Sequence, residues 1–418
     1  MRILDFRPLI AIFLIFFIVF LFSENKKNIA WRFVLQGFIL QCFCIIIALF
    51  FKPLKTFLQY LTNIVHMLKE ATLEGTSFVF GYLGGAPLPF AIKEGASSII
   101  FGFQILPLLI VVSAISMVLF HYKIIPFIVR CLSPIFQKIL NIGGAMGVIA
   151  SAKLFLSQME TPILVRPYLE NFTRTELLMV MACGMSTTAA AAIPLYAMIL
   201  ENSFTNVISH ILVASFISIP ASITLSRILI PEGHQKTKGD IVPPYEFKNG
   251  IDAISRGAVD GMNVFWNVIS MLIVFAAIIF LINVILKKIT LIFLGQPHTL
   301  QDICGYLFAP FTWLMGIPWV EAKEAASLLS TKTFLNEVFA FINLSKCTLS
   351  EHSKLIMLYA LCGFANFSSV GMVIGSLGSL VPTRRDDIIA LAPKALFIGT
   401  LSTCLSGIIM GFLNLFCK

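Results

Sequence analysis

The sequence predicts an all-α integral membrane protein with about eight membrane-spanning helices and two re-entrant helical hairpins. Of its 418 residues, 58% are hydrophobic and only 12% are charged, whereas soluble domains average roughly 45–50% apolar and about 25% charged residues. Many apolar runs exceed the roughly 18 residues that a spanning helix needs. Two glutamates, Glu160 and Glu337, interrupt apolar sequence. A carboxylate inside a membrane is costly, so it usually marks a site or a pathway.

The positive charge of the chain indicates membrane topology rather than nucleic-acid binding. The formal net charge is +9. Basic residues stand at the ends of the predicted helices, for example Lys26, Lys27, Lys287 and Lys288. Lysine and arginine that flank spanning helices set their orientation in the bilayer. We therefore expect this chain to contact the lipid bilayer and no nucleic acid.

Eight stretches have the apolarity of spanning helices, and one more is amphipathic. The residues after Arg2 and Arg7 lack the small-residue cleavage site of a signal peptide, so we expect a retained first helix. Residues 55–70 are predicted to lie along the membrane surface. The predicted spanning helices cover residues 8–22, 30–51, 98–120, 176–200, 206–230, 262–286, 354–380 and 388–416.

Two further stretches, 138–170 and 303–343, are too interrupted for single spans. The first is apolar until it breaks at Ser157, and the second contains Pro310 and Gly316. Each is long enough for two half-length helices with a polar tip, which is typical of a re-entrant hairpin. Non-helical backbone at that depth survives only where it is buried in protein or lines a wet cavity. We therefore predict one hairpin in each stretch.

The order of the elements repeats, which indicates a duplication. Each predicted hairpin is followed by an apolar helix that a Cys-Gly pair and small polar residues break. Gly184 follows Glu160 by 24 residues, and Gly363 follows Glu337 by 26 residues. Interrupted segments at matching positions of two halves point to a transporter's binding site. The predicted units are N-terminal scaffold helices (1–137), a first repeat (138–230), a polar linker with a scaffold helix (231–290) and a second repeat (291–418).

The first hairpin break offers groups that can recognise a heteroaromatic ring. Gln158 supplies an amide and Glu160 supplies a carboxylate, which together can form paired hydrogen bonds with a polar planar ring. The structural alternative is a glutamate that only reaches the membrane interface.

The second repeat offers groups that suit a sugar. Glu337, Asn366 and Ser369 provide acceptors and donors for vicinal hydroxyls, and Phe364 provides an aromatic face. Structural alternatives remain, because serine and threonine in membrane helices often bond a carbonyl of the preceding turn and a phenylalanine often packs in a core. The two matched sets favour a small ligand with a ring and a sugar.

No motif indicates an enzyme. The histidines and cysteines lack metal-ligand spacing, and we find neither a glycine-rich phosphate loop nor a convincing nucleophile–base set. We expect no metal site, no cofactor and no catalytic residue. A membrane-embedded enzyme is the weaker alternative.

At these residues the chain resembles the concentrative nucleoside transporter family. The likeness runs over most of the chain from about Gly75 onward, and the last two motifs, in their order and spacing, are the most specific. The matching segments are Gln158-Met159-Glu160, Val165-Arg166-Pro167-Tyr168, Thr173-Arg174-Thr175-Glu176-Leu177, Met315-Gly316-Ile317-Pro318-Trp319, Leu335-Asn336-Glu337 and Gly363-Phe364-Ala365-Asn366-Phe367-Ser368-Ser369.

The resemblance implies a homotrimer in a bacterial inner membrane, with a separate pathway in each protomer. Its two halves form an inverted repeat, and a transport subdomain moves past a fixed scaffold in an elevator-like form of alternating access. The family imports nucleosides with a sodium or proton gradient. By the family pattern, the nucleobase faces Gln158 and Glu160, and the ribose pocket is formed by Glu337, Phe364, Asn366 and Ser369.

The sharpest departure from the family pattern is Lys153, which stands four residues before the hairpin tip. Sodium-coupled members place an asparagine there as a sodium ligand. Na⁺ requires oxygen ligands, which an ammonium does not offer. We therefore expect proton coupling that involves Lys153, Thr187 and a carboxylate, either Glu160 or Glu337. A lysine that only reaches the interface, and sodium coupling, are the alternatives.

The substrate range and one rival function stay open at this point. Met159 stands where the family usually has threonine or serine, so a hydroxyl near the base is missing and the base preference is undetermined. Uridine and adenosine are the first substrates to test. The rival is a gate-like membrane module that does not transport, but such modules lack the complete double set of motifs.

Overall fold

The computed structural model describes residues 6–91, 100–201, 203–204, 206–233, 236–240 and 247–415, which contain helices and no strand. The first half holds α1 (Arg7–Leu21), α2 (Trp31–Phe50), α3 (Lys52–Phe80), α4 (Leu108–His121), α5 (Ile124–Leu140), α6 (Gly144–Ala152), α7 (Arg174–Ser186) and α8 (Ile193–Leu200). The second half holds α9 (Val207–Leu229), α10 (Gly250–Leu294), α11 (Leu300–Leu314), α12 (Trp319–Phe334), α13 (Glu337–Lys346), α14 (Glu351–Leu361), α15 (Phe367–Leu380) and α16 (Arg385–Asn414).

The predicted all-α membrane fold is confirmed. Among the described residues, six stretches are long and apolar enough to cross a membrane, and α1 and α15 are shorter apolar helices. The long stretches are Trp31–Phe50, Phe101–His121, Arg174–Leu200, Val207–Leu229, Gly250–Phe293 and Pro382–Asn414.

The amphipathic surface helix and the linker helix are both longer than the sequence suggested. Helix α3 spans 29 residues and exposes large apolar side chains such as Tyr60, Met67 and Phe78. Helix α10 spans 45 residues, whereas apolarity alone indicated 262–286. Its polar first turns belong to the same helix, which begins at Gly250 because the Asn249 side chain caps it by accepting a hydrogen bond from the Asp252 backbone amide.

Helices α4 and α10 form a tightly packed pair. Gly257 and Gly261 of α10 lie against the α4 backbone, since an added Cβ would come within 2.6 Å of Ala114 Cα or 2.7 Å of Ile110 Cα respectively. Small residues four apart let two membrane helices approach closely, so that dispersion and backbone contacts hold them together. The pair forms one wall of the cavity described below.

We expect Gly261→Leu to destabilise the protein, because no side chain fits between the two backbones. Overpacking in a tight interface costs typically 1–3 kcal/mol. Thermal unfolding in detergent, followed by tryptophan fluorescence, measures the effect. The same substitution at Gly75, which has no neighbour within 4 Å of an added Cβ, is the control. An unchanged unfolding temperature for Gly261→Leu would show that α4 and α10 do not meet as described.

The first re-entrant hairpin starts later than residue 138. Residues 138–140 belong to α5, and the chain bends by 120° between α5 and α6. Asn141 adopts a left-handed backbone at the bend, and Gly144 lies so close to Gly239 that a Cβ would meet its carbonyl oxygen at 2.3 Å. The hairpin therefore consists of α6, a tip near Ser157, and the 3₁₀ segment Thr161–Asn171.

The second hairpin also starts later than the sequence indicated, because residues 303–314 belong to α11. Pro310 lies inside α11 without ending it. Gly316, with φ +104°, ends the helix instead, and the chain then bends by 117° into α12. The second hairpin consists of α12 and α13, which meet at Leu335 and Asn336.

Both predicted broken helices are present. Thr187 separates α7 from the turn that leads to α8, and Cys362 separates α14 from the turn that leads to α15. Asn336 and Asn366 cap α13 and α15 by accepting hydrogen bonds from backbone amides three residues later. The two repeats therefore show the same order of bent helix, hairpin, broken helix and final helix, and α16 packs on α7, α9 and α14.

Candidate functional site

A cavity of about 170 Å³ lies where the two hairpin tips meet the two broken helices. Helices α4 and α10 form the opposite wall with Ser113, Ser116 and Asn267. The structure brings all six predicted substrate-binding residues to this cavity: Gln158, Glu160, Glu337, Phe364, Asn366 and Ser369. Concave, mostly apolar sites with a few convergent polar groups are the usual form of small-ligand pockets.

Glu337 is a buried carboxylate of the cavity with a hydrogen bond to each oxygen. It is the first residue of α13, is 6% exposed, and accepts hydrogen bonds on both carboxylate oxygens. Asn366 Nδ2 donates to Oε2 at 2.9 Å, and the Tyr196 hydroxyl donates to Oε1 at 2.9 Å. A buried carboxylate is stable only when its oxygens are hydrogen-bonded, and these two donors supply that.

Asn366 has two functions in the local structure. Its Oδ1 accepts from the Ser369 backbone amide at 2.8 Å and so begins α15, while its Nδ2 holds Glu337. The hydroxyls of Ser368 and Ser369 line the same cavity and are buried without a hydrogen-bond partner among the described residues. Unpaired buried hydroxyls beside a paired carboxylate are free to bind the hydroxyls of a ligand.

We expect Asn366→Ala to weaken ligand affinity by about tenfold or more. The change leaves one Glu337 oxygen without its donor, and a buried unpaired group costs about 1–3 kcal/mol. Affinity measured by calorimetry on detergent-solubilised protein tests this. Asn283→Ala is the control, since the Asn283 amide contacts Gln301 outside the cavity. Equal affinities for Asn366→Ala and wild type would exclude Asn366 from the site.

Hydrogen bonds from its own side chains stabilise the turn at the tip of the first hairpin. Glu160 Oε2 accepts from the Ser157 backbone amide at 2.8 Å, and the Thr161 hydroxyl donates to the Ser157 carbonyl at 2.8 Å. Gln158 is 7% exposed, and its Oε1 has no partner among the described residues. The tip thus directs an unpaired amide oxygen and a carboxylate toward the cavity, where a polar ring could bind them.

The predicted ion-coupling residues Lys153 and Thr187 lie behind the cavity rather than on its wall. Lys153 is 2% exposed, and its Nζ lies 3.7 Å from the position of a Cβ at Gly184 in α7. Among the described residues, its side-chain amine makes no hydrogen bond or ion pair. The Thr187 hydroxyl donates to the Cys183 carbonyl of the preceding turn at 2.7 Å.

Two buried residues beside the site were not identified from the sequence. Lys332 of α12 is completely buried, and its Nζ donates to Ala360 O and Thr403 Oγ1, both at 2.9 Å. It lies before the second hairpin tip, as Lys153 lies before the first, and this match was visible in the spacing. Tyr196 had no such signal, because an apolar helix offers many aromatic residues that only pack.

Comparisons with known proteins match most of the chain. Residues 10–83 and 210–411 match the family models described as the N-terminus and the C-terminus of the Na⁺ dependent nucleoside transporter. Residues 102–203 match the model described as nucleoside recognition. The chain is 36% identical over 407 residues to an uncharacterized transporter, YutK, of Bacillus subtilis, and these cover 94% of this chain and 96% of YutK.

A named permease and a solved transporter are also similar. The nucleoside permease NupC of Helicobacter pylori is 32% identical over 404 residues, which cover 95% of each protein. The structure of CNTnw in an inward-facing substrate-bound state matches with a TM-score of 0.88 at 28% identity, over 99% of this chain and 100% of that one. A CNTnw variant in an outward-facing state matches with a TM-score of 0.89, over 100% and 99%.

Proposed function

The chain belongs to the concentrative nucleoside transporter family as a multi-pass plasma-membrane transporter, and from that premise we propose that it imports nucleosides together with protons. Its relatives include nucleoside permeases, and solved relatives adopt inward-facing and outward-facing states, which supports nucleoside transport by alternating access. We further propose the direction of transport, which is import, the coupling to protons, and the residues that bind the nucleoside.

The observation that carries the proposal is the buried Glu337 between two donors. The Tyr196 and Asn366 hydrogen bonds fix the carboxylate, and the unpaired Ser369 hydroxyl stands on the same cavity wall. This set can bind the vicinal hydroxyls of a ribose. Gln158 and Glu160 then face the base, and Phe364 packs on the ligand. Uridine, with a ring that carries carbonyl and N–H groups, is the first substrate to test.

Lys153 supports proton coupling. By the family pattern, sodium-coupled members have a sodium-binding asparagine at this position, and the Lys153 Nζ lies 3.7 Å from the position of a Cβ at Gly184 of α7. Na⁺ binds oxygen ligands, and a lysine there supplies none. The coupling proton is then carried by a carboxylate of the moving subdomain, either Glu160 or Glu337. Sodium coupling, which the description of the family model names, is the alternative.

Elevator-like movement and a homotrimer complete the proposal. In this proposal the closely packed helices α4 and α10 form a fixed scaffold wall, past which the hairpins and broken helices move as one body. Helix α10 exposes large apolar side chains, among them Phe280, Ile292 and Phe293. Such a surface must be covered by lipid or by other subunits.

Uptake into cells that express the chain tests the proposed function. We expect radiolabelled uridine to accumulate in sodium-free medium and the accumulation to collapse when a protonophore is added. Uptake that requires sodium and survives the protonophore would replace the proton with sodium. If uptake does not exceed that of cells without the protein, the result would favour the gate-like module. The two complete hairpin sets argue against that module.

A further inference from the structure

Among the described residues, Tyr196 is the residue of the first repeat that hydrogen-bonds to the Glu337 carboxylate of the second repeat. It lies on α8, is 1% exposed, and lines the cavity. Its hydroxyl donates to Glu337 Oε1 at 2.9 Å across a sequence separation of 141 residues. Asn366, which holds the other oxygen, belongs to the second repeat, as Glu337 itself does.

The two donors leave a defined part of the carboxylate for a ligand. An ionised carboxylate has about four acceptor positions on its two oxygens. Tyr196 occupies one position on Oε1 and Asn366 occupies one on Oε2, so each oxygen keeps acceptor capacity toward the cavity. Because the donors act on different oxygens from different helices, they fix the plane of the group. A carboxylate held in one plane presents both oxygens to two neighbouring hydroxyls at once.

The Tyr196 ring is itself held in place by the helix that carries Glu337. Its centroid lies 4.8 Å from that of Phe341, which stands one helical turn after Glu337 on α13. Ring pairs at this distance are favourable beyond their buried area. The hydroxyl therefore keeps its position relative to Oε1 whenever α8 and α13 move together.

We propose that Tyr196 is a positioning residue that orients Glu337 for the vicinal hydroxyls of the sugar. It acts through the carboxylate and makes the first repeat a determinant of sugar selectivity in the second. The inference rests on the proposed role of Glu337 in nucleoside binding. Its consequence is a preference for nucleosides with both the 2′ and the 3′ hydroxyl over those that lack them.

The test compares uridine with 2′,3′-dideoxyuridine in proteoliposomes that contain full-length Tyr196→Phe. The variant keeps the ring and its Phe341 contact but removes the donor. We expect the KM for uridine to rise about tenfold, which equals about 1.4 kcal/mol, with a maximal rate near that of wild type. The KM for the dideoxynucleoside is expected to stay constant, so that the selectivity between the two falls about tenfold.

Tyr359→Phe is the matched control. Tyr359 is also completely buried, and its hydroxyl has one side-chain partner, His210 Nδ1 at 3.1 Å, away from the cavity. Tyr359→Phe removes a buried hydroxyl of the same kind as Tyr196→Phe. Because this hydroxyl lies away from the cavity, we expect the selectivity between the two nucleosides to stay at the wild-type value. A selectivity loss of similar size in both variants would assign the Tyr196 effect to general destabilisation and overturn the proposal.

Further outcomes separate the proposal from the function on which it rests. Unchanged selectivity in Tyr196→Phe, with uptake abolished in Glu337→Gln, overturns the positioning role and leaves the transport function standing. Uptake that persists in Glu337→Gln overturns the proposed site itself. If Tyr196→Phe is not recovered as folded protein, Phe341→Leu loosens the ring and keeps the hydroxyl. A reduced selectivity in that variant supports the proposal, and wild-type selectivity overturns it.

Discussion

Glu337→Gln is expected to abolish nucleoside uptake while the protein remains folded. The substitution is nearly isosteric, but an amide has only one oxygen. Tyr196 and Asn366 both donate to the carboxylate, so one of them must face the new NH₂ group. The ligand also loses a charged acceptor, and hydrogen bonds to charged groups contribute about 1.5–3 kcal/mol each. The loss of one such bond, together with a mispaired donor, predicts that the rate of nucleoside uptake falls at least a hundredfold.

Initial rates of uridine uptake in proteoliposomes measure this loss, with size-exclusion chromatography as the check on folding. Glu351→Gln is the control, because Glu351 lies at the exposed start of α14, where its side chain is 75% exposed. That variant is expected to behave as wild type. Wild-type uptake in Glu337→Gln would exclude the carboxylate from both nucleoside binding and coupling.

Lys153→Asn is expected to change the ion on which uptake depends. The substitution removes a buried amine and places an amide oxygen against the end of α7, where the Cys183 carbonyl and the Thr187 hydroxyl lie close together. Oxygen ligands at a helix C-terminus attract a cation. We expect uridine uptake by the variant to rise at least tenfold on addition of sodium, whereas wild-type uptake stays independent of sodium.

Proteoliposomes with equal pH on both sides and a variable sodium gradient provide the measurement. Lys323→Asn is the control, since Lys323 lies on the surface of α12 with its side chain 43% exposed. A Lys153→Asn protein that transports normally and ignores sodium would show that this residue does not decide the coupling ion.

The sequence predicted the elements that carry the site because their signals are local. Glu160 and Glu337 stand out in apolar surroundings, and the Cys-Gly pairs mark both helix breaks. These features place the hairpin tips beside the breaks, where the structure brings the predicted residues around one cavity. The roles of those residues in binding stay predictions.

The boundaries and the deeper contacts were not predictable in the same way. Pro310 suggested a break that Gly316 actually makes, because a proline is tolerated in a membrane helix when neighbouring groups compensate for the lost hydrogen bond. Tyr196 approaches Glu337 only after two repeats fold against each other. Such a contact depends on tertiary packing, and nothing in the local sequence marks it.

The buried lysines of the two repeats, Lys153 and Lys332, differ in their hydrogen-bond partners. The Lys332 amine donates hydrogen bonds to a carbonyl near the end of α14 and to a threonine of α16. Lys153 lies at the corresponding position without such partners among the described residues. An ammonium near a helix C-terminus is favourable, but only Lys332 has the acceptors that fix it.

The most direct test of the central claim is uridine accumulation in proteoliposomes with imposed proton and sodium gradients varied separately. Our account predicts accumulation above equilibrium when only an inward proton gradient is present, and none when only a sodium gradient is present. Accumulation driven by sodium alone would contradict the assigned coupling ion. Absence of accumulation under every gradient, for adenosine as well as uridine, would contradict concentrative nucleoside transport itself.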